Sequence, residues 1–281
     1  MIELRQQHSL AGLLQAAGLS RSTFYYQQKV LQLADKYADV VKERIGVIYA
    51  QHKGRYGYRR ITAMLRLGGS SINHKTVQRL MHLLHLKSCV RLKKYRAYKG
   101  EIGHLAPNLL ARNFDAARPN EKWVTDVTEF SVSGEKLYLS PIMDLFNGEI
   151  VSYEIARRPL FNMVAKMLTS AFQRLGPSDK PILHSDQGWQ YRMEKYRRQL
   201  ELRSITQSMS RRGNCLDNAA MESFFGTLKS EYFHLTNFTG LDELKAGLDD
   251  YIRYYNVDRI KLKLGYLSPI DFRMQSMSGQ H

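Results

Sequence analysis

Cysteine is scarce in this sequence, which has only Cys89 and Cys215 among its 281 residues. Thiols so far apart form no Cys-x-x-Cys pair, which excludes a zinc ribbon and a disulfide framework and points to a reducing compartment. Long apolar runs are absent too: nowhere do eighteen apolar residues follow one another, so no membrane-spanning helix is expected. The first residues include Glu3, Arg5 and His8, where a secretory leader would be apolar. No internal repeat, low-complexity tract or sustained heptad pattern is found, so neither a solenoid nor a coiled coil is expected. The expectation is a soluble cytoplasmic protein, long enough to bury a sizeable core in one or more domains.

Acid is the other shortage, and it is confined to one half. Residues 1–118 hold 21 Lys+Arg against 6 Asp+Glu, a net +15, whereas residues 119–281 hold 21 against 20, a net +1. A basic front joined to a nearly neutral back suggests a module that grips a polyanion, attached to one that does other work. Nucleic acid is the expected polyanion, and a DNA partner would place the protein on the nucleoid. A merely solvated basic surface is the alternative.

The front half reads as helical. In residues 9–28, SLAGLLQAAGLSRSTFYYQQ, two short helices break at Gly18, and Ser20 stands as N-cap of a helix starting at Arg21. This predicts a helix-turn-helix over residues 1–34 that turns Arg21, Ser22 and Thr23 toward a major groove; a plain helical hairpin is the alternative. A second helical unit is expected over residues 35–90, with one helix carrying Arg59 and Arg60 in YGYRRITAMLR, a break at GGSS, and another helix from Asn73. Val77, Leu80, Met81 and Leu84 form the apolar stripe of that last helix, leaving His74, Lys75, Gln78 and Arg79 as candidate DNA contacts. Residues 91–119 read as a basic linker in which Lys93 and Lys94, interleaved with Tyr95 and Tyr98, would meet phosphates without reading sequence.

From Lys122 the periodicity changes to that of strands: WVTDVTEFSV, KLYLSPIMDLF and EIVSYEIARR suggest an antiparallel meander. An amphipathic helix follows, then a strand PILHS, a helix near residues 191–202, a strand around SITQSMS, a long helix near Asp217 and a final helix through Tyr255. The pattern is mixed α/β. Asp126 falls inside a strand-like run where an aspartate needs something to satisfy its charge. Asp186 ends PILHS, at a strand C-terminus where α/β sheets place ligands. Glu222 lies on the long helix, two turns before Lys229, which would meet a phosphate or simply face solvent. Three hard-oxygen carboxylates from two strands and a helix suit a pair of divalent cations about 4 Å apart that activate a nucleophile and stabilise a leaving oxygen. Spacing alone does not separate these three from the other acids. His184 is expected as a hydrogen-bonded core histidine, and Trp123 and Trp189 as packing residues.

The blocks WVTDVTEF, HSDQGWQY and NAAMESFFGTLKSE resemble the three segments of the retroviral-integrase-like transposase core, whose two aspartates and one glutamate bind metal. Thirty-five residues lie between Asp186 and Glu222, the interval for which that group is named, and Lys229 falls at its basic position. YGYRRI upstream, then YN-x-x-R and LGYLSP between Tyr255 and Pro269, make the chain similar to the second-reading-frame (OrfB) product of the insertion-sequence-three family, over residues 36–275. The resemblance implies a ribonuclease-H-like core over residues 120–235, a mixed five-stranded sheet flanked by helices, with residues 236–281 as its C-terminal helical extension and the small all-α region ahead. It implies a DDE-type enzyme with catalytic Asp126, Asp186 and Glu222 holding two Mg²⁺ ions, with Mn²⁺ able to substitute. It also implies terminal inverted repeats and target DNA as substrates, an upstream OrfA-type partner and a homo-oligomer on DNA. The chain departs from the pattern at Lys261, where the family often has His, and it lacks the His/Cys zinc domain of retroviral integrases. A non-catalytic DNA-binding regulator of transposition is the alternative function, and a nuclease acting on RNA–DNA hybrids is a third.

Overall fold

A computed structural model describes residues 3–32, 39–89, 106–211 and 215–278. Two compact units emerge, residues 1–87 and 88–281. No helix among the described residues is long and apolar enough to cross a membrane.

In the first unit, α1 (Leu10–Ala16) and α2 (Arg21–Gln32) are separated by Gly18, whose φ of +60° only glycine adopts without strain. Ser9 and Ser20 cap the two helices, accepting from the Gly12 and Thr23 N–H groups. Three more helices, α3 (Asp39–Gln51), α4 (Tyr58–Leu67) and α5 (His74–Leu83), close around fully buried Ile45, Ile61, Leu65, Val77 and Leu80. The turn between α4 and α5 is held by arginines: Arg44 donates to Ser70 and to the Gly68 carbonyl, and Arg66 forks onto the Ile72 carbonyl.

The second unit is built on one mixed sheet. Its strands are β1 (Lys122–Thr125), β2 (Thr128–Val132), β3 (Glu135–Asp144), β4 (Ile150–Ala156), β5 (Ile182–Ser185) and β6 (Thr206–Met209), joined by α6 (Phe161–Phe172) after β4 and α7 (Glu194–Glu201) after β5. After β6 come α8 (Ala219–Glu231), α9 (Leu241–Val257) and α10 (Pro269–Ser278). Both β1 and β2 pair antiparallel along the same edge of β3, β4 takes its other edge, and β5 and β6 extend the sheet in parallel from β1. The continuous strand expected for WVTDVTEFSV is therefore two strands, interrupted at Asp126–Val127. Ser133 and Gly134, both with positive φ, make the tight turn from β2 to β3.

Alternation along β1 sends Trp123 to one face and Val124 to the other. On the Trp123 side, α6 and α7 pack Met163, Met167, Leu168, Tyr196 and Leu200 against the sheet. On the Val124 side, α8 and α9 bring Phe224, Leu228, Leu244, Leu248 and Tyr255 over Phe130, Leu139 and Met143. Each such fully buried side chain contributes about 1.5–3 kcal/mol.

Two expectations need correction. Residues 106–119 are not a free connector: Leu110 is buried in the α8–α9 core, and the Leu109 N–H donates to the Ser208 hydroxyl. The apolar Leu110 outweighs the weak patterning that made the stretch look like linker. Nor does the fold close at Tyr255, because α10 follows. Arg273 of α10 reaches the fully buried Asp144 and, through Nε, Glu149 at 2.8 Å. Asp144 also accepts the Asn120 and Phe146 N–H groups.

Candidate active site

The sheet register places the first two carboxylates. In the parallel pair β1 and β5, Val124 lies opposite His184, so two residues further on Asp126 and Asp186 leave neighbouring strand ends side by side. Each carboxylate is fixed by a local backbone donor. Asp126 Oδ1 accepts the Val127 N–H at 2.7 Å, and Asp186 Oδ1 accepts the Gly188 N–H at 2.8 Å. Glycine at 188 leaves room for these side chains, since a Cβ there would sit 2.9 Å from Asp186 Oδ1 and 3.0 Å from Gln190 Oε1 and would displace them. The two aspartates line a pocket of about 260 Å³ together with Glu129, Tyr138, Gly188 and Tyr191.

Glu222 arrives from the face covered by α8 and α9. Buried Asn218, just ahead of α8, donates to the Thr125 carbonyl at 3.1 Å and so ties the start of that helix to the end of β1. Met221, Phe224, Phe225 and Leu228 then pack α8 down, leaving Glu222 half-buried in its first turn. The far end of α8 is locked by Glu231, which takes a two-pronged bond from buried Arg259 at 2.8 and 2.7 Å and a third from Tyr251.

Electrostatics ties these acids together. Burial, then the neighbouring Asp186, with a smaller contribution from Glu222, push Asp126 up to about 8, against the Val127 N–H and Lys229. Burial raises Asp186 as well, opposed by the Gly188 N–H and Arg192. Lys229 has its Nζ 5.2 Å from the Phe130 ring; burial lowers its pKa, while Glu129 and Asp126 favour its charge. Among the described residues no three His, Cys, Asp or Glu side chains form a ready-made metal cage, and Glu222 does not line the pocket. The donors that do meet are hard carboxylate oxygens crowded enough to resist ionisation, and a divalent cation relieves such crowding. His184 is fully buried, with Nδ1 2.8 Å from the Ser208 hydroxyl, and its pKa is lowered by burial, as befits a core residue.

Trp123 is fully buried, whereas Trp189 is 46% exposed beside the pocket, contrary to the expectation that both are packing residues. Glu129, Tyr138 and Tyr191 of the pocket wall were not singled out from sequence; for Glu129 the outward position in an alternating strand was the available sign. The anchoring role of Asn218 was likewise not read from sequence, although an Asp-Asn pair ahead of a helix marks such a position.

Apart from Lys93, Lys94 and Lys229, the candidate DNA contacts lie on the first unit. Arg21 is exposed, whereas the Ser22 and Thr23 hydroxyls bond to Ser20, 2.9 and 2.8 Å away, and serve the start of α2. Arg59 is exposed, with Nε donating to the Tyr58 hydroxyl, and Arg60 is half-buried over the Tyr56 ring at 5.4 Å. His74, Lys75, Gln78 and Arg79 all lie exposed on α5, where the Lys75 N–H is capped by Asn73. Lys93 and Lys94 lie outside the described residues.

Three family models match the chain: an HTH-like domain over residues 36–95, and integrase core domains over residues 116–215 and 222–277. The chain is 58% identical to the putative transposase InsK for insertion sequence element IS150 of Escherichia coli, over 98% of this chain and 96% of that protein. It is 32% identical to the transposase InsF for insertion sequence IS3A of Escherichia coli, over 82% of this chain and 81% of that one. A simian T-cell lymphotropic virus intasome chain superposes with a TM-score of 0.48 at 17% identity, covering 82% of this chain and 74% of that one, too loosely to carry an argument. An HTH-like module ahead of an integrase core, with kinship running nearly end to end, places this chain in the insertion-sequence-three (IS3) family of transposases.

Proposed function

We propose that the protein cuts and joins DNA at the ends of an insertion sequence, with Asp126, Asp186 and Glu222 holding two Mg²⁺ ions that Mn²⁺ is able to replace. The observation that carries this reading is the parallel pairing of β1 and β5, which sets Asp126 and Asp186 together in one pocket. Held by these carboxylates, such ions would supply activation of a water or a DNA 3′-hydroxyl and stabilisation of the leaving oxygen at a phosphodiester. The chain's own residues prepare the site. Val127 and Gly188 aim the two aspartates, Asn218 fixes the helix that delivers Glu222, and Lys229 offers a cation to a phosphate oxygen.

Residues 1–34 and 35–90 recognise DNA, 91–119 lead into the core and end packed on it, 120–235 catalyse and 236–281 extend the core. The substrates are the element's terminal inverted repeats and target DNA, engaged on the nucleoid by a homo-oligomer with an upstream OrfA-type product as partner.

The test is metal-dependent nicking of DNA carrying the element's ends, by the chain alone and joined to the upstream frame. Asp186→Asn should abolish nicking, beyond the roughly 10–100-fold cost of losing an outer-shell partner of a metal site, with DNA affinity near that of the parent. Binding without nicking in both forms would favour the regulator instead.

A further inference from the structure

The row of strand ends that carries Asp126 and Asp186 continues across the sheet. His184 of β5 pairs with Ser208 of β6, so two residues beyond, Ser210 stands next to Asp186, and the Ser210 N–H donates to the Ser185 carbonyl at 2.9 Å. The next residue is Arg211. Its guanidinium donates through Nε and Nη2 to Asp217 at 3.0 and 3.1 Å, and its backbone N–H bonds the same carboxylate. Arg112, from the segment that enters the core unit, adds its Nε at 3.1 Å, and Asn108 adds its amide at 2.9 Å.

One carboxylate is thus shared by two guanidiniums. The Asp217 side chain is fully buried, while those of Arg112 and Arg211 are 47% and 59% exposed. Asp217 is held well below the usual carboxylate range, chiefly by the Arg211 hydrogen bond, so it stays ionised and keeps both arginines pinned. A structural ion pair needs one arginine. The second leaves an excess positive charge, and the planar forks are oriented before any ligand arrives, with Nη1 of Arg211 and both Nη groups of Arg112 not spent on Asp217. A rigid guanidinium pair with outward donors matches a phosphodiester.

We propose that Arg112 and Arg211, pinned by Asp217, form a phosphate clamp that grips the DNA backbone at the β6 end of the row, beside Asp186. It rests on the reading that DNA is cut at this row, and it adds the place where the strand is held. Asn108 and Asp217 are positioning residues, and the ligand is a phosphate of either the element's own end or the target strand.

The test is the salt dependence of affinity of the full chain, without divalent metal, for two labelled duplexes: one carrying the element's end and one plain. The triple variant Arg112→Gln, Arg211→Gln, Asp217→Asn leaves no buried carboxylate unpaired and lowers the net charge by one. Arg253→Gln, on the exposed face of α9 and 80% exposed, removes the same net charge elsewhere. The slope of log affinity against log salt should shrink by about 0.9 for each phosphate that is no longer neutralised, so by roughly 1–2 in the triple variant relative to Arg253→Gln. Shrinkage on the end duplex alone assigns the phosphate to the element's end, and equal shrinkage on both assigns it to target DNA. Equal slopes for the triple variant and Arg253→Gln overturn the clamp. If the triple variant's melting temperature falls, Arg211→Lys is used instead: it keeps the charge and loses the fork, and it should weaken binding at fixed salt several-fold, with parental affinity overturning the clamp. The measurement involves no nicking, so it stands or falls separately from the proposed reaction.

Discussion

The two units use charge in opposite ways. In the first, polar groups with a candidate role stand on the outside of α5, where Lys75 and Gln78 are exposed and their positions depend only on the stripe of Val77, Leu80 and Met81 beneath. In the second, acids are drawn into the fold and fixed by backbone donors and by arginine. Surface contacts of the first kind should act independently and set affinity. Interlocked groups of the second kind should act as a set and govern chemistry.

The largest contrast is expected from Asp126→Asn. Nicking should fall by more than the roughly 10–100-fold of an outer-shell loss, yet the metal-free protein should become more stable. Because the folded pKa is raised to about 8, the parent loses stability as pH climbs from the unfolded value of about 3.9 toward 8, and asparagine escapes that loss. A melting temperature raised by roughly 2–4 °C at pH 8 corresponds to about 1 kcal/mol for a unit of this size; a lowered one would mean that the acids are not crowded.

Next comes the buried fork. Arg259→Met strands Glu231 and should cost about 3–5 kcal/mol in denaturant unfolding, whereas an unchanged midpoint would show that α8 needs no lock. Gly188→Ala pushes a methyl group into Asp186 Oδ1 and should lower nicking by roughly 10–100-fold with DNA affinity intact. A parallel loss of affinity there would blur the division between the two units.

On the first unit, Lys75→Ala should reduce the salt slope by about 0.9, while Gln78→Ala should leave the slope alone and relax base preference by about 1–3 kcal/mol at one position. If either abolished nicking at saturating DNA, the comparison would break. The smallest effect concerns Asp217. Its folded pKa is depressed, so its contribution is present above the unfolded value of about 3.9 and is lost as pH falls below it. The stability gap between the parent and Asp217→Asn should therefore narrow in acid melts below about pH 4.

How far these features were legible in sequence follows the same division. Asp126 and Asp186 could be read because a charged residue in or at the end of an apolar strand stands out against its neighbours. The break between β1 and β2, where Asp126 Oδ1 takes the Val127 N–H, was not read, because the apolar run on both sides continues through it. Helix α8 was legible from Met221, Phe224, Phe225 and Leu228, but its anchoring through Asn218 to a carbonyl 93 residues earlier was not. The docking of Leu110 and the role of α10 were also missed, since both rest on contacts with distant strands rather than on local periodicity. On the first unit, the Gly18 turn and the Ser20 cap were readable because capping is local. Ser22 and Thr23 were read outward when their hydroxyls turn back to Ser20.

The ion pair between Asp144 and Arg273 has a consequence for how the protein is made. A ribosome delivers Asp144 with strand β3 while Arg273 is still 129 residues from being added. Until then the β3–β4 hairpin, to which β1 and hence Asp126 are paired, holds an acid that cannot be buried without heavy cost. A chain still being translated, or one released early, would carry Asp126 and Asp186 of the proposed centre on an unfinished sheet, so the pocket they line would be completed only after synthesis has passed α10.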